Sequence, residues 1–217
     1  MRVLVACEFT GTVRDAFRER GHEAWSCDLL ESENSQIFHW QLPIQTILGL
    51  KRTSWDLMIA HPPCTYLNVA GAWAFGDGPY HQNVKPGTLV GKARREARAQ
   101  AFEFFMELWN VRIPHICIEN PIGVMSTLWR KPDQIIQPYQ FGHDASKATC
   151  LWLKGLPKLK PTNYVEPRMV GGRPRWANQT DSGQNRLSPS LSRAMDRART
   201  YQNIAKAMAK QWGGSNS

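Results

Sequence analysis

The sequence predicts an α/β protein built on a doubly wound, mostly parallel sheet, and three observations support this fold class. β-Branched apolar runs recur through the first 120 residues, helical patterns separate them, and glycine or proline follows most of them. Strands that alternate with helices form βαβ units, which place helices on both faces of a parallel sheet. We also expect a small antiparallel extension toward the C-terminus.

Apolar runs in the first half of the chain define the parallel part of the sheet. The predicted strands lie at 2–7, 22–30, 54–63 and 113–120. Helical periodicity predicts helices over 13–21 and 92–110. The stretch 68–91 has five glycines, two prolines and no sustained period, so we expect a long loop after the third of these strands.

The region after Pro121 departs from this alternation. Its apolar segments have the pattern of antiparallel strands, and a turn-rich basic loop follows them. The two strand segments are 132–142 and 147–157, and the loop is 160–185. We interpret 122–187 as a reduced insert that faces the substrate.

A helix is expected to close the chain. Its periodicity runs over 188–212, and Ser188 or Ser190 is a suitable N-terminal cap. The length of 217 residues suits one domain, so we interpret 1–217 as a single unit that this helix completes.

Charge and cysteine content narrow the class of protein. Lys and Arg exceed Asp and Glu by 27 to 18, and this net charge of +9 favours anionic partners such as nucleic acid. The five cysteines contain no CxxC or Cys/His cluster, so neither a disulfide framework nor a metal site is expected. No run reaches the ~20 apolar residues of a membrane span, and the N-terminus is unlike a signal peptide. We therefore expect a cytoplasmic protein that is not bound to a membrane.

Cys64 and Glu119 are the residues best placed for chemistry. Cys64 follows two prolines and leaves a strand for a loop, whereas the other cysteines lie inside apolar runs. Glu119-Asn120-Pro121 ends the next predicted strand. Ligands of open α/β sheets bind beyond the carboxyl ends of the strands, so a thiol and an acid are expected at one cleft. A lone Glu is more often a surface acid, and its pairing with Cys64 is what favours function.

A glycine turn and an acidic residue mark a candidate ligand site. Phe9-Thr10-Gly11 follows the first strand, and Asp28 follows the second. A glycine at the first βα turn lets a ligand approach the backbone, and an acid after the next strand can bind ribose hydroxyls. One glycine alone is more often an ordinary tight turn.

Taken in order along the chain, these residues resemble the motif series of the DNA cytosine-5 methyltransferases. Phe9-Thr10-Gly11-Thr12 is similar to that family's FxGxG cofactor motif without its second glycine, and Asp28 to the acid that holds the cofactor's ribose. His61-Pro62-Pro63-Cys64 is similar to the Pro-Cys nucleophile motif, and Glu119-Asn120-Pro121 to the Glu-Asn-Val motif. The segment 199–205, RTYQNIA, resembles the closing motif, whose helix returns to the cofactor site.

The resemblance implies a Rossmann-like enzyme that binds S-adenosyl-L-methionine and methylates C5 of cytosine in DNA. It implies one catalytic group and one cofactor-binding group. The catalytic group is Pro63, Cys64, Glu119 and Asn120, and the cofactor-binding group is Phe9, Thr10, Gly11, Asp28, Pro62 and Asn203. The compact length suits a protein of a virus or mobile element in a bacterial host cell.

Three departures from the family concern adenine and target recognition. The segment HWQLPI at 39–44 lacks the Asp that meets the cofactor's adenine, and the Gln-x-Arg-x-Arg motif is missing. The positional counterpart of that motif is 147–149, where Lys147 is expected to bind phosphate and Thr149 to contact the base. Only residues 155–190 separate this region from the closing helix, which leaves no room for a separate target-recognition domain. Low sequence selectivity is therefore predicted.

The implied chemistry places demands on two residues. Cys64 adds to C6 of the base as a thiolate, and Glu119 must be protonated to stabilise the charge that builds at N3. Burial in an apolar pocket raises the pKa of a carboxyl group, and we expect this for Glu119. A cytosine within a duplex must first be flipped out. The aromatic residues of the long loop, Trp73, Phe75 and Tyr80, are candidates to fill the vacated space.

Basic residues that can meet phosphates cluster at the start of the helix over 92–110 and in the segment 168–175. They are Lys92, Arg94, Arg95, Arg98 and Arg173. Two further hypotheses stay open. One keeps the chemistry but changes the substrate to RNA, single-stranded DNA or a cytosine nucleotide, and the other is a catalytically idle nucleic-acid-binding protein of the same fold.

Overall fold

Seven strands of the described residues form one central sheet. They are β1 (Arg2–Ala6), β2 (Glu23–Asp28), β3 (His39–Gln41), β4 (Leu57–Ala60), β5 (His115–Pro121), β6 (Gln134–Ile136) and β7 (Thr149–Lys154). Their order across the sheet is β3-β2-β1-β4-β5-β7-β6. The computed structural model describes residues 1–50, 54–69, 71–80, 83–187 and 193–214.

The sheet is parallel except at β7. β1 pairs in parallel with β2 and β4, β2 with β3, and β4 with β5. β7 lies antiparallel between β5 and β6, so β6 runs in the same direction as the first five strands. The predicted fold class is therefore confirmed: the protein has an α/β, doubly wound and mostly parallel, Rossmann-like sheet, with antiparallel pairing in its C-terminal part.

Helices cover both faces of this sheet. Those in the described residues are α1 (Thr12–Arg18), α2 (Ile44–Leu48), α3 (Gly91–Asn110), α4 (Met125–Leu128), α5 (Arg193–Ala198) and α6 (Gln202–Trp212). On one face, Phe17 of α1 and Trp212 of α6 lie in the core cluster that contains Val5. On the other face, Phe105 of α3 lies in the cluster that contains Leu4. Successive side chains of β1 point to opposite faces, so both faces are buried.

The parallel strands were predicted with somewhat different ends, and one edge strand was missed. β1, β2 and β4 each lie inside a predicted strand. β5 begins two residues later than predicted and extends one residue further, to Pro121. β3 was not among them, because a strand of three residues carries too little alternation to be recognised. None of the described helices is long and apolar enough to cross a membrane.

The basic segment predicted as a loop over 160–185 contains a small hairpin. Its strands are β8 (Arg168–Val170) and β9 (Arg173–Arg175), which pair antiparallel. A turn at Gly171 and Gly172 joins them, and both glycines have positive φ angles. Such turns need residues that tolerate φ > 0, so the two glycines make the hairpin possible.

The prediction of one closing helix over 188–212 is wrong. The segment holds two helices, α5 and α6, and the chain between them leaves helical geometry. Tyr201 is extended, with φ −70° and ψ 132°, and it precedes the first turn of α6. Arg199 pairs with Glu33, which pulls this stretch toward the loop after β2. The predicted caps Ser188 and Ser190 lie outside the described residues.

Candidate active site

Three neighbouring strands bring titratable side chains to one edge of the sheet. β1, β4 and β5 are in register, with Ala6 opposite Ala60 and Ala60 opposite Ile118. His61 directly follows β4, and its backbone N–H donates to Ala6 O at 2.9 Å. Glu119 comes one residue after Ile118, so it emerges at the level of His61. This carboxyl edge is where open α/β sheets bind their ligands.

The loop of Cys64 and the loop after Glu119 are locked to each other. Asn120 Nδ2 donates to Pro62 O at 2.9 Å, and Val124 N donates to Leu67 O at 2.8 Å. A Cβ atom at Gly123 would overlap the carbonyl oxygen of Leu67, so only glycine permits this close approach. The predicted proximity of the thiol loop and the acid is therefore present in the structure, and Pro62, Asn120 and the backbone around Leu67 hold it.

Cys64 lies at the start of a turn. Its carbonyl oxygen accepts the backbone N–H groups of Leu67 and Asn68, each at 3.0 Å, and the side-chain amide of Asn68 at 2.8 Å. Cys64 is partly exposed, whereas Cys27 and Cys150 are buried, and burial raises the pKa of each of these two thiols to about 11. Because the thiolate is the nucleophilic form, the position of Cys64 suits it better for reaction.

Glu119 forms an ion pair with His61. His61 Nδ1 lies 3.2 Å from Glu119 Oε2, and the two side chains are only 13% and 11% exposed. Glu119 Oε2 has no well-aligned hydrogen bond among the described residues, so the ion pair is what compensates its burial. Burial alone would raise the pKa of Glu119, but the charge of His61, and then that of Lys147, outweigh burial and lower the pKa below its ordinary value. The expected rise was wrong, because a cationic neighbour replaces the apolar pocket.

Glu8 lies on the other side of His61 and is buried. Its carboxylate accepts the backbone N–H groups of Val13, at 2.6 Å, and Arg14, at 3.2 Å, and so caps the first turn of α1. Burial raises the pKa of Glu8, although the charge of His61 and the two N–H groups oppose this rise. His61 therefore forms an ion pair with one carboxyl group, Glu119, and interacts with the charge of another, Glu8.

His61 and Glu8 were missed as functional residues. In the sequence, His61 stands out only as part of the His-Pro-Pro-Cys motif. Glu8, one residue before Phe9, belongs to none of the motifs. The signal that could have found them is the one that found Glu119, since both are polar residues directly beyond an apolar strand.

Lys147 belongs to the same site. Its ammonium group donates to Arg199 O at 2.9 Å, and its charge interacts with those of Glu119 and Cys64. Burial lowers the pKa of Lys147, and the negative groups oppose this change. Thr149 is buried opposite Pro121, and its hydroxyl donates to Lys147 O at 3.2 Å. Lys147 thus faces the thiol and the acid, while Thr149 supports the backbone of Lys147.

The predicted cofactor-binding residues divide into two groups. Phe9, Thr10 and Gly11 form the buried turn between β1 and α1, and Asp28 ends β2. Asp28 is half-buried, and its Oδ1 accepts Leu30 N at 2.9 Å. Gly11 has a φ of 71°, and a Cβ atom there would overlap the guanidinium of Arg14, so a side chain of the protein itself uses this close approach.

Asn203, the second residue of α6, contacts His143 and Gly142. Its backbone N–H donates to His143 Nε2 at 3.1 Å, and its side-chain amide lies beside Gly142. Arg199 links the segment 199–205 to the turn between β1 and α1. It pairs with Glu33, and Glu33 N donates to Phe9 O at 2.9 Å.

The predicted phosphate-binding arginines of α3 contact the long loop instead. Arg94 is buried, donates to Leu89 O at 3.2 Å and lies over the ring of Phe75 at 4.8 Å. Arg95 is exposed but pairs with Asp77 at 2.9 Å. Arg173 is exposed on the hairpin and stays a candidate.

Two surface pockets of the described residues are lined by other side chains. One, of about 270 Å³, lies between α1 and α6 and contains Asp15, Asn34 and Thr200. The other, of about 600 Å³, lies beside β6 and contains Lys131 and Ile135. Neither is lined by Cys64 or Glu119. Among the residues that the structure describes, no three His, Cys, Asp or Glu side chains are grouped as a metal site would require.

Comparison with known proteins gives little beyond the fold. No protein-family profile and no curated protein sequence matches the chain. Among solved structures, it is similar to a crystal structure provisionally described as a DNA modification methyltransferase encoded within a prophage of E. coli, with a TM-score of 0.46 and 13% sequence identity. The similarity covers 76% of this chain and 52% of the other, so the chain spans about half the length of that protein. Function must therefore be argued from the site.

Proposed function

We propose that the protein transfers a methyl group from S-adenosyl-L-methionine to C5 of cytosine in DNA, with Cys64 as the nucleophile and with low sequence selectivity. The observation that carries this proposal is the set of contacts that joins the Cys64 loop to Glu119-Asn120. These contacts bring a partly exposed thiol and a buried carboxyl group to neighbouring strand ends.

A thiol and a carboxyl group at one cleft are what this reaction requires. C5 of cytosine becomes nucleophilic only after a thiolate has added to C6, and Cys64 is the thiol that can do so. The addition places negative charge on the ring toward N3, where Glu119 can donate a proton. Lys147 adds positive charge near Glu119, which favours an anionic substrate.

The residues present fit S-adenosyl-L-methionine better than a phosphate-bearing cofactor. Dinucleotides place their pyrophosphate at the N-terminus of the helix after β1, but the carboxylate of Glu8 already accepts the Val13 and Arg14 N–H groups of α1. Asp28, half-buried after β2, is suited to ribose hydroxyls. We propose that Phe9, Thr10, Gly11, Asp28 and Pro62 hold the cofactor, which supplies the methyl group when bound.

Low selectivity is proposed from the small size of the substrate-facing part. Between β7 and α5, the described structure has only the hairpin β8–β9 as regular secondary structure. Arg173 on this hairpin and Lys147 at the cleft are suited to phosphates, which position a nucleic acid but do not read its sequence. The same argument favours, as a second candidate, this chemistry on RNA, single-stranded DNA or a cytosine nucleotide.

Trapping on 5-fluorocytosine tests the proposal. Fluorine at C5 cannot leave as a proton, so an active enzyme with its methyl donor should stay covalently attached to the base. We expect an adduct that survives denaturing electrophoresis with duplex DNA, and none with Cys64→Ala. Cys150→Ala, which changes a buried thiol of β7, is the matched control and should still form the adduct.

The same assay separates the competing hypotheses. An adduct with single-stranded DNA or with RNA, but none with duplex DNA, would show that the single-stranded nucleic acid is the substrate. No adduct with any substrate, together with no rise of the Tm in saturating S-adenosyl-L-methionine, would overturn the enzymatic function and favour an idle nucleic-acid-binding protein.

A further inference from the structure

Three buried titratable groups form a row across the carboxyl ends of three adjacent strands. Glu8 follows β1, His61 follows β4 and Glu119 lies in β5, and these strands are neighbours in the order β1-β4-β5. Lys147 adds a fourth group just before β7, the next strand of the sheet. With all four groups ionised, the charges along the row alternate and sum to zero.

We propose that His61 stores the proton that Glu119 delivers to the cytosine ring, which makes His61 a positioning residue for the reaction. This inference rests on the proposed function, since it assigns the source of a proton that the reaction needs. Cys64 and Glu119 do not by themselves supply this proton, because Glu119 is an anion in the free protein.

The geometry suits a stored proton at His61. Its Nδ1 faces Glu119 Oε2 at 3.2 Å, and Glu8 lies on its other side. His61 Nε2 is buried and has no hydrogen-bond partner among the described residues. An imidazolium at His61 compensates the charge of Glu119, whereas a neutral ring would leave the Glu119 carboxylate without its ion-pair partner in a site with little water.

All the charged groups that face His61 take part in this balance. Burial alone would lower the pKa of His61, but Glu119 and then Glu8 outweigh burial and raise it, against the opposing charge of Lys147. Glu8 is fixed by the N–H groups of α1, so it cannot turn toward solvent without uncapping the helix. Glu119 and Glu8 therefore favour the protonated form of His61.

The proton transfer is balanced in both directions. When the thiolate of Cys64 adds to C6, a carbon–sulfur bond forms and the ring electrons move toward N3. The proton on His61 Nδ1 passes to Glu119 Oε2, and the carboxyl group of Glu119 gives a proton to N3, so His61 becomes neutral. After the methyl group has been transferred to C5, water takes the proton from C5, the C5–C6 double bond re-forms and Cys64 leaves C6 as a thiolate. The proton on N3 returns through Glu119 to His61, and the row regains its initial charge.

A titration of the imidazole groups by NMR tests the storage without any substrate. His61→Asn identifies the His61 signal, and the pKa of this signal should lie above the ordinary histidine value of about 6.5. In Glu119→Gln it should fall by about one to three pH units. The NMR signal of His115, at the opposite end of β5, is the internal control and should be the same in both proteins. A His61 pKa at or below the ordinary value, unaltered by Glu119→Gln, would overturn the inference.

The pH dependence of adduct formation tests the role in the reaction. The ratio of the wild-type rate to the His61→Asn rate removes the pH effects that are common to both proteins. We expect a ratio of about a hundred near pH 7, which falls toward pH 5 as Glu119 of the variant binds its own proton from solvent. His115→Asn should give a ratio near one at every pH.

The outcomes separate the two proposals. A ratio that stays constant from pH 5 to pH 8 would show that His61 only supports the fold, and would overturn its role as a proton store. Absence of any adduct in the wild type would overturn the proposed function itself. The NMR titration is unaffected by that failure, because it reports on His61 and Glu119 in the free protein.

Discussion

Arg14 is a charged residue that the fold buries completely. Its guanidinium donates to the hydroxyl groups of Ser26 and Ser32, at 3.1 and 3.2 Å, and to Ser35 O at 2.9 Å. It also forms a two-point ion pair with Asp15. Because a buried charge is tolerated only when it is paired and hydrogen-bonded, Arg14 ties α1 to β2 and to the loop that follows β2.

Replacement of Arg14 by alanine should therefore destabilise the protein. R14A removes the donor of several buried acceptors and leaves a cavity, so we expect the free energy of unfolding to fall by about 3 kcal/mol. Urea unfolding followed by circular dichroism measures this loss. Arg112→Ala, at an exposed arginine, is the matched control and should change it by less than about 0.5 kcal/mol. Similar losses in the two variants would contradict the structural role of Arg14.

At the scale of elements, the Cys64 loop and the loop after β5 behave as one unit. Two hydrogen bonds and a close backbone approach at Gly123 join them, and α4 begins directly after this contact. The relative position of thiol and acid therefore depends on backbone contacts more than on side-chain packing. Such contacts are short, so they leave little room for adjustment.

Gly123→Ala should separate these two loops. The new methyl group would overlap Leu67 O, so we expect a loss of about 1–3 kcal/mol in stability and a slower adduct formation, because Cys64 and Glu119 move apart. Differential scanning calorimetry and the 5-fluorocytosine assay measure the two effects. Gly76→Ala is the matched control, since a Cβ atom there would meet no atom within 4 Å. An adduct rate equal to that of the control would show that the loop contact does not position the thiol.

At the scale of the whole molecule, the ion pair across β4 and β5 makes stability depend on pH. The raised pKa of His61 contributes stability below the histidine's unfolded pKa, and this is lost as pH rises through the folded pKa. The lowered pKa of Glu119 contributes stability above the glutamate's unfolded pKa, and this is lost as pH falls through the folded pKa. Both contributions to stability are fully present between about pH 4.3 and about pH 6.5.

The Tm of the wild type should therefore exceed that of the double variant His61→Asn/Glu119→Gln most clearly in that pH range. The difference should shrink toward higher and lower pH, because one partner of the pair loses its charge on each side. A difference that does not vary between pH 4 and pH 9 would contradict the ion pair.

The fold could be predicted largely because its signals are local. Apolar runs closed by glycine or proline define β1, β2, β4 and β5, and the periodicity of α3 is long enough to be unambiguous. The break between α5 and α6 could not be predicted, because the sequence there is compatible with a helix. It follows from a distant partner, since Arg199 pairs with Glu33.

The sequence by itself determined which chemical groups stand at the strand ends, because the length of a strand and the prolines that end it are read from neighbouring residues. It therefore singled out Cys64 and Glu119 and their shared edge of the sheet. Only the tertiary structure decided the charge that Glu119 carries. A pKa depends on groups that are close in space, and His61, Glu8 and Lys147 reach this edge from strands that are far apart along the chain.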